Sequence, residues 1–135
     1  DLKAIDPELL ESVRNLTFGQ AIYESCNVAD LEFSSGHRIE VRLALSDSQK
    51  QVGLSATEAL DMGMLFYYKH PTYIPFTMAE MAHDLDIGHY NSEGILIQST
   101  QCEAGSLEHV TCSMPFSYVL EMPAGTLPSG NFKIL

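Results

Sequence analysis

Tryptophan is absent from this 135-residue chain, and basic side chains are scarce: seven Lys and Arg stand against eighteen Asp and Glu, for a formal charge of −11. A field of that sign repels phosphate backbones and anionic lipid, which argues against nucleic acid and membrane surfaces and favours a cationic ligand or a basic protein surface. No apolar run approaches the roughly 18 residues that a membrane-spanning helix requires, so insertion of this segment into a bilayer is not expected. Three cysteines allow one disulfide at most, and none has the C-x-x-C spacing of a redox or zinc site. A G-x-S-x-G nucleophile elbow, a glycine-rich phosphate loop and a basic, aromatic-studded patch are all missing. Nucleophilic catalysis, nucleotide binding and RNA recognition therefore have no motif to rest on.

What is present suits one compact domain with a single core. Asp6-Pro7-Glu8 opens a helix: Asp accepts from free amides, Pro has no amide to leave unbonded, and Glu favours the positive end. Leu9, Leu10, Val13 and Leu16 continue it at helical spacing, with an end expected near Thr17-Phe18-Gly19. Strict alternation from His37 to Leu45 predicts a half-buried strand, joined to Leu31-Glu32-Phe33 through a Ser34-Ser35-Gly36 hairpin. Ser48 and Gln51 resemble a capping box for a short helix through Val52 and Leu54.

Beyond Met62 the pattern changes to short apolar blocks at 64–68, 75–78, 85–90, 95–99 and 118–122, with a last strand at 132–135. Pro, Gly and Asn-Ser turns separate them, which predicts mostly antiparallel pairing. Cys102 and Cys112 are far enough apart to close a small ring, with Cys26 left over, although any of three pairings is possible. The chain starts at Asp1 without a leader, which is the expectation for a segment whose signal or anchor has been removed.

Gly53-Leu54, Gly63-Met64-Leu65-Phe66, Met78, Leu85-Asp86-Ile87, Val119-Leu120-Glu121 and Ala124-Gly125 follow one another in an order that resembles the bacterial domain of unknown function 192 family (UPF0127). The resemblance runs from about His37 to the C-terminus, and divides the chain into an N-terminal helix and first strands (1–36) and a barrel-like region (37–135) within one compact domain. Family members read R-G-L-M, G-M-L-F, W-M-K-N-T-x-x-P-L-D-I and V-L-E. Here Val52 and Ser55 replace the Arg and Met of the first motif, Thr77, Ala79, Glu80 and Met81 stand where Trp, Lys, Asn and Thr are usual, and Asp84 replaces Pro. The resemblance implies an α+β fold with a mainly antiparallel barrel-like sheet, an N-terminal helix and one or two short helices, often exported or membrane-tethered. It implies no reaction.

The acids of Thr77–Ile87 carry the functional question. In a strand from His83 to Tyr90, period two puts His83, Leu85, Ile87 and His89 on one face and Asp84 and Asp86 on the other; Glu80 joins the acids if the strand extends that far. In the resembled family the positions of Asp86 and Glu121 hold the most characteristic acids. A buried carboxylate costs several kcal/mol unless it is paired or hydrogen-bonded. One reading has the acids accept backbone amides and lock loops. The other has Asp86 and Glu121 form the floor of an acidic cleft, with Asp84 and Glu80 at its rim and Met78 beside it, selecting a cationic group. His83 and His89 with Met78 and Met81 have the ligand types of a copper site, but the two rings lie about 20 Å apart along a strand, so neither a metal nor another cofactor is expected. The expectation is a noncatalytic, periplasmic or secreted bacterial binding domain for a small cationic ligand or a protein partner. The alternative is an enzyme or small-ligand protein that uses Asp86 and Glu121 as acid–base or binding carboxylates.

Overall fold

The computed structural model describes residues 6–55 and 62–135; the side chains at 12, 13 and 15–17, among them the expected helix-lining Val13 and Leu16, lie outside the description. Helix α1 (Pro7–Ser25) begins as the sequence predicts, with Asp6 accepting from the Glu8 amide at 3.1 Å. It does not stop near Gly19. An internal glycine costs a helix only about 1 kcal/mol, and continuing through it buries Tyr23 and, at the cap, Cys26. The Arg42 guanidinium then lies over the Tyr23 ring at 4.6 Å and donates to the Cys26 carbonyl at 3.3 Å.

β1 (Val28–Phe33) and β2 (Arg38–Ala44) form the expected hairpin. Helix α2 (Asp47–Val52) starts two residues earlier than Ser48 predicts, because Ser46 and Gln49 build the capping box instead. The remaining strands are β3 (Gly63–Thr72), β4 (Phe76–Thr77), β5 (Leu85–Tyr90), β6 (Leu96–Cys102), β7 (His109–Val110), β8 (Phe116–Pro123) and β9 (Phe132–Ile134). Seven of them make one sheet in the order β6-β5-β8-β3-β2-β1-β9, while β4 and β7 pair separately. Every pairing is antiparallel except β2 with β3, which needs a crossover of the kind that α2 begins. β1 sits inside the large sheet, between β2 and β9.

The sheet curls until its two ends meet. Phe132 donates to the Gly94 carbonyl at 3.0 Å, and the Asn131 side chain accepts from the Leu96 amide at 2.9 Å. The architecture is α+β with a mostly antiparallel half-barrel. Inside the curl pack Leu31, Phe33, Val41, Leu65, Tyr90, Leu120, Met122 and Phe132. On the outer face Met64, Phe66, Leu85, Ile87, Phe116 and Val119 are covered by Tyr23, Cys26, Leu54, Met78 and Cys112. Hydrophobic burial on both faces explains the near-continuous apolar character of β3, β5 and β8.

All three cysteines are buried free thiols, so the expected Cys102–Cys112 bond is not formed in this structure. Cys102 closes β6 with its Sγ donating to the Thr100 carbonyl at 3.7 Å, and both thiols serve as small apolar groups in the outer core. Among the described residues no helix is long and apolar enough to cross a membrane.

Candidate functional site

β5 alternates as its sequence predicts, with Leu85, Ile87 and His89 toward the outer core and Asp86 and Tyr90 toward the inside of the curl. Cross-strand neighbours share a face. Asp86 lies opposite Met122 and Ile87 opposite Glu121, which places Asp86 and Glu121 on opposite faces of the sheet. They share no hollow.

Asp86 is instead a loop anchor. Its Oδ2 accepts from the Gly125 amide at 2.9 Å and the Leu127 amide at 3.1 Å, fixing the turn after β8. Asp84 does the same for another loop, accepting from the Ala104 amide at 2.8 Å. Of Asp86 and Glu121, the two acids for which the sequence suggested backbone amides, Asp86 accepts them, and among the described residues Glu121 does not. Glu80 is exposed in a turn between β4 and β5, because the strand starts only at Leu85. Met78 is fully buried and borders a separate hollow shared with Cys102 and His109. Replacement of Asp86 by alanine leaves two amides without their acceptor and is expected to cost about 1–3 kcal/mol in urea denaturation.

Glu121 has a different environment. Only 4% of it is exposed, and it forms the floor of a cleft of about 430 Å³. Phe66 and Tyr68 of β3, Phe76 of β4 and Met81 supply the walls, Lys50 comes from α2, and Glu80 joins them at the margin. Of the acids picked out in the sequence, the structure thus gathers Glu121 and Glu80 and leaves Asp84 and Asp86 elsewhere. Among the described residues no donor hydrogen-bonds to the Glu121 carboxylate. Burial pushes its pKa up to about 7. The Tyr68 hydroxyl is pushed up to about 12, by burial first and by the Glu121 charge second.

Much of the wall is aromatic. Phe66 and Phe76 meet edge to face at 5.4 Å and 81°, and the Lys50 ammonium stands 4.2 Å above the centre of the Tyr68 ring. Behind Phe76, His89 is fully buried against Phe116, and among the described residues neither ring nitrogen has a hydrogen-bond partner; burial pushes it down to about 4, so it is neutral. Among the described residues no three His, Cys, Asp or Glu side chains are grouped to hold a metal ion. The arrangement can bind a group that brings positive charge or N–H donors to one carboxylate and apolar surface to three rings.

Sequence reasoning missed Lys50, Tyr68 and Phe76, and singled out Phe66 only within a family motif and Met81 only at a family-motif position and as a ligand type for copper. Period two in β3 puts Phe66 and Tyr68 on one face, which is the signal that could have found them. What stands opposite is set by the parallel β2–β3 crossover and the β4–β7 ladder.

Two solved structures share this architecture. A candidate transcription regulator from Sinorhizobium meliloti 1021 aligns with a TM-score of 0.72 and 27% identity, over 82% of this chain and 95% of that one. A protein of unknown function from Novosphingobium aromaticivorans DSM 12444 aligns with a TM-score of 0.67 over 82% and 84%, at 18% identity, a likeness of fold alone. No curated protein matches the chain. The model of the DUF192 family, described as Uncharacterized ACR, matches residues 30–134, which takes in the cleft floor at Glu121 and the loop anchor at Asp86. The chain belongs to the domain of unknown function 192 family.

Proposed function

We propose that this is a noncatalytic binding domain of an exported bacterial protein, whose cleft receives the cationic group of a small ligand or of a basic protein surface. One observation carries the reading: Glu121 is buried at the floor of an open cleft with no donor among the described residues. A carboxylate in that position costs several kcal/mol when ionised, and a bound cation removes the cost. Glu80 at the margin and the overall charge of −11 draw cations toward it. The same charge opposes DNA and other phosphate backbones. Acid–base catalysis by Asp86 with Glu121 finds no support, since Asp86 is committed to two amides on the other face. Export rests on the family's habit, and protease accessibility in intact against lysed cells tests it.

Calorimetric titration at pH 8 with a primary and a quaternary alkylammonium salt tests the binding site. At least one is expected to bind, and Glu121→Gln to weaken it about tenfold or more, as loss of a charge-assisted contact does. Binding of neither cation, or equal binding by both proteins, contradicts the proposal.

A further inference from the structure

Lys50 shows how this cleft already treats a cation. Its ammonium sits over the Tyr68 ring at 4.2 Å, yet among the described residues it makes no hydrogen bond or ion pair, although Glu80 and Glu121 line the same cleft. The charge is held by a ring face. A primary ammonium has three N–H donors to satisfy, whereas the walls here are largely carbon: Phe66, Tyr68, Phe76, Ile74, Pro75 and Met81. The polar members beside Glu121 are Asp47, Gln51, Ser55, Thr77 and Glu80, and among the described residues none of them bonds the Lys50 ammonium; Thr77 already accepts from the Ala79 amide at 3.2 Å, and the Ser55 hydroxyl donates to the Val52 carbonyl. A cation without N–H groups leaves no donor stranded, is weakly hydrated, and draws its stabilisation from aromatic faces and one counter-charge.

We infer that the cleft is built for a quaternary, methylated ammonium on a small soluble molecule, seated over Tyr68 in the place Lys50 now occupies, with Glu121 as counter-charge. This rests on the cation-binding reading above and narrows its ligand class. Lys50 is then a built-in competitor. It projects from the short surface helix α2, and its long stem can carry the ammonium off the ring when a ligand arrives.

The test uses three probes that share a hydroxyethyl frame, on the full chain at pH 8: choline, ethanolamine, which lacks the three methyl groups, and 3,3-dimethylbutan-1-ol, the uncharged isostere of choline. Choline is expected to bind at least about tenfold more tightly than either of the others, within the range of desolvated cation–π contacts. Lys50→Met, which keeps the apolar stem, is expected to tighten choline binding several-fold, and Tyr68→Leu to weaken it about tenfold, with circular dichroism confirming that both variants fold. Ethanolamine binding more tightly than choline overturns this inference and leaves the cation site standing. Charged and uncharged probes binding alike overturns both. Unchanged choline affinity in Lys50→Met overturns the shared seat.

Discussion

Alanine at position 94 is expected to cost the domain about 3–5 kcal/mol, a large part of the stability a domain of this size possesses. Gly94 has φ +77°, where an L side chain is strained by about 1–2 kcal/mol. The larger share comes from what its Cβ meets: the Phe132 carbonyl oxygen, part of the backbone and so unable to turn aside. The Gly94 carbonyl also accepts from the Phe132 amide at 3.0 Å, which is where the curl closes. Forcing β9 away loosens Phe132 from Tyr90, Tyr118 and Phe33, whose rings lie 4.7, 5.3 and 6.1 Å from its own. A fall in melting temperature of about 10–20 °C follows from the usual scaling. Gly105→Ala is the control, since Gly105 has φ +75° but open space around its Cβ. It is expected to lose only about 1 kcal/mol. Equal losses at the two positions contradict the closing role of Gly94.

The second large effect is a pH dependence. Burial raises Glu121 from 4.5 in the unfolded chain to about 7 in the fold. Below the unfolded value the carboxyl is protonated in both states and folding is indifferent to it. Between the two values the folded state keeps a proton that the unfolded state has released, so stability falls as pH rises. Above about 7 the whole penalty is present, about 3 kcal/mol. Glu121→Gln does not titrate. Relative to that variant, the native protein is expected to lose about 3 kcal/mol between pH 4.5 and 7.5 in urea denaturation. The difference between the two proteins isolates Glu121 from His89, which burial pushes down to about 4 and which therefore destabilises the fold in the opposite direction, as pH falls below its ordinary value. Parallel stability curves contradict the buried, donor-free carboxyl.

Much of this molecule is written locally. The 28–44 hairpin follows from alternation and a turn glycine, and β5 occupies the same residues, Leu85 to Tyr90, that its apolar block marks out. Within β5 the split between Asp86 and Leu85 or Ile87 is equally local, because period two fixes which neighbours share a side. The relation between Asp86 and Glu121 is not local. It depends on the register of β5 against β8, and a one-residue shift would have put both acids on one face. The length of α1 escaped because Gly19 signals a stop that tertiary burial of Tyr23 overrides. The cleft walls escaped for a similar reason: Lys50, Tyr68 and Phe76 come from three elements brought together by a parallel crossover and a two-residue ladder, neither of which has a periodicity to read. Cys102 and Cys112 have a spacing that permits a bond, but their burial in the outer core leaves them serving as packing groups.

The most direct measurement is a titration of the Glu121 side chain by carboxyl ¹³C NMR, assigned with Glu121→Gln and repeated with saturating choline. The expected midpoint is about 7 in the free protein, falling by about one unit or more with the cation bound, because the cation favours the ionised form. A midpoint at the ordinary value for glutamate, unmoved by the cation, contradicts a binding site at Glu121.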